Sequence, residues 1–272
     1  METNSQRLEF TAIAELARRF VEQPPGPDTG NLVRFEYSVF SQNGEDGVIA
    51  EIFRRIGEGS RTFVEIGANA WGGNTNALAD IMGWRGIMIE ALPDRAEELR
   101  RKYRGFPGII IQQALVTTTW METFDAAPYH EVDLFSIDVD GDDFWLWRSM
   151  RLVRPRVFIV EYNSHIPPDQ ALVQPERREH VPWHWDFFGA SVLAFISLGR
   201  EMGYTLVHTE SHGVNAIFVR DDQLPHFADI DLSRIPYHGP NFDGRGRYHG
   251  ADPEGRTYLD LRSLGMDVHR VR

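Results

Sequence analysis

The chain has no cysteine. That absence removes disulfides, thiolate catalysis and cysteine-ligated zinc together. It also has no run near the roughly twenty apolar residues that a membrane span needs. Basic residues are in deficit, 28 Lys and Arg against 40 Asp and Glu, for a formal net charge of −12. Such a balance opposes binding to a nucleic acid backbone, whose affinity rests on basic contacts. It opposes docking on anionic membranes as well. Met1 to Phe10 is polar and carries acids, with no apolar signal region, so a cytoplasmic location is expected. There is no internal repeat and no low-complexity segment. What is present is a hydrophobic content of 42% over 272 residues, enough for one large α/β domain with additions.

The chain is organised around Thr62 to Asn76, TFVEIGANAWGGNTN. Thr62 to Ile66 is short, β-rich and mostly apolar, as a central parallel strand is. Gly67 falls where the chain must turn, and leaves backbone open to a ligand. Asn74 or Thr75 can cap a following helix that carries Leu78, Ile81 and Met82 on one face. A strand–glycine–helix unit places a small ligand beyond the carboxyl end of the strand. The dinucleotide fingerprint does not fit, and Glu65 at the strand end would repel a pyrophosphate. A ligand with cationic and hydroxyl groups suits it better. S-adenosylmethionine (SAM) has an ammonium and a ribose and no phosphate. Some twenty residues on, Gly86-Ile87-Met88-Ile89-Glu90 is a second strand ending in an acid, suited to ribose hydroxyls as a bidentate acceptor. The competing reading is that these acids only cap helices.

Around this centre the pattern alternates. Leu8 to Val21 has apolar residues at helical spacing, then a Pro-rich linker follows. FSQNGED opens a helix with Val48, Ile49, Ile52, Phe53 and Ile56 inside. Ser41 and Asn43 are potential caps and Glu45 and Asp46 lie in its first turn, although the string is longer than a cap requires. Gly108–Ile111, Asp133–Asp138 and Arg156–Asn163 read as strands three to five, with Gln113 to Val116 as a loop beside an adenine. Ser164 to Trp185 is a long loop with an aromatic end, expected to be a lid. Tyr204–His208 and Asn215–Arg220 read as an antiparallel hairpin edge. The expected fold is therefore a doubly wound, mostly parallel α/β sheet, with an N-terminal helix and a long C-terminal tail. The boundaries expected are 1–37 for the appendage, 38–220 for the domain and 221–272 for the extension.

The strings FSQNGEDGVIAEIF, FVEIGANAWGGNTNAL, GWRGIMIEALP, DLFSIDVDGDDFWLW and PRVFIVEYN, with a later HGVNAIFV, come in one order over residues 38 to 220. In this the chain resembles the SAM-dependent methyltransferases of the FkbM type, within the class I methyltransferase fold. The resemblance implies a seven-stranded sheet with SAM as cofactor. Gly67 with Glu65, Asn69 and Asn76 is similar to the methionine-binding turn, Glu90 with Ala91 to the ribose site, and Ala114 and Leu115 to the adenine loop. Asp138 lies where cofactor and acceptor meet. The glycine turn, IGANAWGG, departs from the usual three evenly spaced glycines.

Methyl transfer from a sulfonium is an in-line displacement, so the protein must align a nucleophile and remove its proton. Oxygen ligands at adjacent strand ends suit a hard cation such as Mg²⁺. We expect Asp138, Glu161 and Asn163 to hold it, with Asp140 nearby as ligand or base, and Asp142 and Asp143 to cap the next helix. His184 and His212 rank above His165 as bases because their loops should border the cleft. Trp183, Trp185 and Phe187 would form a substrate wall, and Trp145 and Trp147 belong to the core. The expected activity is O-methylation of a sugar or natural-product hydroxyl. N-methylation, or a SAM-binding protein that has lost transfer, is the alternative, and a nicotinamide dehydrogenase is a distant third. A small-molecule acceptor and a homo-oligomer are the expected partners, with no nucleic acid and no membrane.

Overall fold

The computed structural model describes residues 30–177, 185–242 and 249–268. The helix expected over Leu8 to Val21 lies outside them. The first long helix, α1 (Glu45–Ile56), buries Val48, Ile49, Ile52, Phe53 and Ile56, the spacing read from the sequence. Then follow β1 (Thr62–Ile66), α2 (Asn76–Asp80), β2 (Arg85–Glu90), α3 (Pro93–Lys102), β3 (Ile109–Gln113), α4 (Thr118–Thr123), β4 (Leu134–Ile137), α5 (Asp143–Ser149) and β5 (Val157–Glu161). After β5 come β6 (Leu172–Val173), α6 (Val192–Met202), β7 (Tyr204–Thr209), β8 (Asn215–Arg220) and β9 (Leu259–Asp260).

Seven strands form one sheet in the order β3-β2-β1-β4-β5-β8-β7. Strands β1 to β5 are mutually parallel, and β8 runs against both neighbours. This is the expected doubly wound, mostly parallel seven-stranded arrangement, with its antiparallel hairpin edge. Helices cover both faces. Val64, Ile66, Phe135, Ile137, Phe158 and Val160 face one core with α5 and α6. Phe63, Met88, Leu134, Val157 and Ile159 face the other with α1. Two covered faces explain why these strands show no polar alternation. Trp147 is stacked on Phe158 with centroids 4.3 Å apart, a core residue as expected.

The tail is tied down at both cores. Phe227 and Ile230 join the core under α1, and Leu261 and Met266 join the other. Strand β9 pairs with β6 as a separate two-stranded sheet. Among the described residues no helix is long and apolar enough to cross a membrane.

Candidate functional site

In this strand order the direction of winding reverses between β1 and β4, and a crevice opens there beyond the carboxyl ends. A cavity of about 890 Å³ occupies it. Its size is at the upper end of small-molecule sites.

The glycine turn shapes one wall. Gly67 has φ +81°, and a Cβ there would stand 1.7 Å from the Asp138 carbonyl oxygen. So Gly67 is required by the approach of the β1 turn to the end of β4, rather than by a ligand alone. Glu65 lines the cavity, yet its oxygens are engaged by the fold. Oε1 accepts from the Asn74 N–H at 2.8 Å and Oε2 from the Thr75 hydroxyl at 2.6 Å. Burial pushes its carboxyl up to about 7 against these donors. Thr75 stands at the N-cap of α2 but makes no side-chain cap bond, because its hydroxyl goes to Glu65. Asn69 lines the cavity. Asn76 does not: it accepts from the Gly73 N–H and donates to the Asn69 carbonyl and the Tyr103 hydroxyl. It holds the turn in shape, a correction to its expected contact with a cofactor.

Glu90 ends β2 at the cavity, with Ala91, Ala114 and Leu115 beside it. Its Oε1 accepts from the Leu92 N–H at 2.7 Å. The other oxygen takes no hydrogen bond among the described residues. Leu92 and Leu115 are 43% and 53% exposed and flank this end of the cavity.

The opposite end is acidic. Asp138, Asp140 and Glu161 each offer an oxygen, all within 4.8 Å of one another. Burial first, and then the charges of Asp143 and Asp140, push the Asp138 carboxyl well up. Burial followed by Asp138 and Asp140 does the same to Glu161. Glu161 Oε2 is buried with no hydrogen bond. Asp140 has φ 56°, a left-handed conformation uncommon outside glycine. Its N–H donates to Glu161, and Arg177 Nη2 donates to its carbonyl at 2.8 Å. Asp143 folds the loop by accepting from the N–H groups of Val139 and Gly141. Asp142, at the N-cap of α5, makes no cap bond and instead accepts from Gln174 and Arg177. Both acids are structural, as expected, but they order loops rather than cap the helix.

Asn163 is not part of this cluster. It is fully buried. Its Nδ2 donates to the Asp186 and Phe188 carbonyls and the Tyr258 hydroxyl, and its Oδ1 accepts from the His165 N–H. His212 is not brought to the cavity either, since its Nδ1 is 3.3 Å from Glu210 Oε2. His184 and Trp183 lie outside the described residues. His165 sits behind the wall, with Nε2 accepting the His249 N–H at 3.1 Å.

Several lining residues escaped the sequence reading. Phe242 and His249 of the tail line the cavity, and nothing periodic in the tail announced them. Burial and the neighbouring His165 push His249 down to about 4, so its imidazole is neutral at pH 7. Gln42, Asn43 and Glu45 also line it, and here the long SQNGED string was a signal. Asp46 Oδ2 gathers the N–H groups of Val39, Phe40 and Ser41 at 2.8, 2.6 and 2.8 Å. Ser41 Oγ in turn accepts from the Asp46 N–H. The loop so folded places Gln42 and Asn43 at the cavity wall.

No protein-family model and no curated protein matches the chain. Among solved structures it is similar to SAM-bound CalS10, an amino pentose methyltransferase from Micromonospora echinaspora (TM-score 0.44, 13% identity, 76% of this chain and 96% of that one). It is similar to the N-terminal domain of EvdMO1 with SAH bound (TM-score 0.42, 16% identity, 77% and 94%). A SAM-dependent methyltransferase from Aquifex aeolicus is a third (TM-score 0.41, 13% identity, 77% and 98%).

Proposed function

We propose that the chain is a SAM-dependent methyltransferase acting on a small molecule, and that it methylates a hydroxyl of a saccharide or natural-product acceptor with help from a divalent cation. The observation that carries this reading is the division of one cavity. One end has a strand-end acid with an uncommitted oxygen between two exposed leucines. The other end has three converging carboxylates.

The residues fit both groups. Glu90 would take the ribose hydroxyls, the turn at Gly67 would pass the methionine portion, and Leu92 and Leu115 would cover the base. The donors at the acidic end are carboxylate oxygens, one of them buried without a hydrogen bond, and such a set suits a hard cation. When bound, SAM supplies the electrophilic methyl group and the cation supplies charge that lowers an acceptor hydroxyl's pKa. Asp140 is the acid we assign to take the acceptor proton, since His212 faces Glu210 instead.

Calorimetry with SAH and with NAD tests the cofactor half. We expect SAH to bind and NAD not to. Glu90→Gln should weaken SAH by about 10- to 100-fold, the size of a lost charge-assisted hydrogen bond. Tight NAD binding with no heat from SAH would end the proposal. Transfer of labelled methyl to a panel of sugars, with and without EDTA, tests the other half, and full activity in chelator would remove the cation.

A further inference from the structure

Level positions on neighbouring strands send their side chains to the same face of a sheet. Ile137 of β4 is level with Val160 of β5, so the next residues, Asp138 and Glu161, lie side by side. Glu161 is in turn paired directly with Asn215 of the antiparallel strand β8. One row therefore crosses the cavity floor, and Asn215 ends it.

Asn215 is 2% exposed and lines the cavity. Its Nδ2 donates to Glu45 Oε1 at 2.7 Å. A carboxylate can only accept from an amide, so Glu45 fixes which way the amide faces. Asn215 Oδ1 is thereby turned away from Glu45, and it is buried with no hydrogen bond. A buried carbonyl oxygen left in this state is destabilising unless something comes to it. Its strand partner Glu161 brings an oxygen within 4.8 Å of those of Asp138 and Asp140, and all three carboxylates, once ionised, only accept. A hard cation is the ligand that oxygens of both kinds share, carboxylate and amide.

We infer that Asn215, oriented by Glu45, is the fourth protein oxygen of a divalent-cation site formed with Asp138, Asp140 and Glu161. The inference rests on the cation half of the proposed function. It replaces Asn163 with an amide from the opposite strand, and it gives the first residue of α1 a task at the site. Glu45 is a positioning residue: it touches Asn215 and sets the direction of its carbonyl.

Titration of the full chain with MnCl₂ in a calorimeter, with SAH affinity measured on the same samples, tests this. Wild type should bind one Mn²⁺. Asn215→Ala should bind it at least about 10-fold more weakly, and Glu45→Gln, whose own amide can face either way, about 3- to 10-fold more weakly. SAH affinity should stay within about twofold in both. If Asn215→Ala does not fold, Glu45→Gln alone decides. Wild-type Mn²⁺ affinity in Glu45→Gln and in any folded Asn215→Ala, alongside loss of binding in Asp138→Ala, would overturn the inference. Wild type that binds SAH but no Mn²⁺ would overturn it together with the cation half of the function, leaving the methyltransferase reading in place. Asn215-dependent Mn²⁺ binding without SAH binding would support the inference and overturn the methyltransferase reading.

Discussion

At Gly67 two demands meet in one residue. The backbone is at φ +81°, and any side chain would run into the Asp138 carbonyl, 1.7 Å from the position of a Cβ. Neither atom is a flexible end that can swing aside. Gly67→Ala should cost about 3 kcal/mol or more and push the β1 and β4 ends apart. Denaturant unfolding would register the loss, and SAH affinity should fall with it. A variant with wild-type stability would mean that the β1 turn can yield to a side chain at this position. The sequence placed this glycine correctly but gave it only half its reason. Its neighbour Glu65 was legible as an acid at a strand end. Its engagement with Asn74 and Thr75 was not, because a loop's hydrogen bonds have no period to read. The same limit hid the structural duty of Asn76.

Elements were easier to read than contacts. Buried parallel strands announce themselves as apolar runs, and α1 showed its inner face by spacing. The antiparallel hairpin was visible too, but not that β8 inserts beside β5 and brings Asn215 opposite Glu161. The order of strands across a sheet is a long-range fact. Along the chain the amide nearest Glu161 is Asn163, which is why the sequence points there. In the structure Asn163 ties the end of β5 to the loop at Asp186 and Phe188 and, through Tyr258, to the tail. Asn163→Ala removes from a fully buried residue the two N–H donors shared by the Asp186 and Phe188 carbonyls and the Tyr258 hydroxyl, and the acceptor of the His165 N–H. We expect a loss of about 2–4 kcal/mol with Mn²⁺ affinity in the folded protein unchanged. Unfolding curves and the Mn²⁺ titration separate this from a ligand role, for which affinity would drop first.

Across the molecule, the acidic balance read from composition turns out to be partly internal. Burial pushes Glu65 to about 7 and Glu210 to about 8 from an ordinary 4.5. Glu210 is fully buried, with Glu45 next in raising it, and the N–H groups of Val214, His212 and Asn215 work against the rise. A carboxyl with a raised pKa keeps its proton in the fold while the unfolded chain releases one. Its stabilising effect is full below pH 4.5 and is lost as pH climbs to about 8. Glu51 works in the opposite sense. Burial would raise it, but hydrogen bonds from Arg54 and Arg55 outweigh that and hold it low, so its contribution fades only in acid. Stability should therefore peak on the acid side of neutrality and decline toward pH 8. For Glu210 the decline is on the order of a few kcal/mol, roughly 5–10 °C in Tm for a chain of this size. Glu210→Gln keeps the shape and cannot ionise. Its Tm should start lower at pH 5, since an amide meets the same three N–H groups, and should fall less between pH 5 and pH 8 than that of wild type. Calorimetric scans at both pH values measure the two slopes. Parallel slopes would show that Glu210 ionises in the fold as it does in water, and that burial beside Glu45 does not govern it.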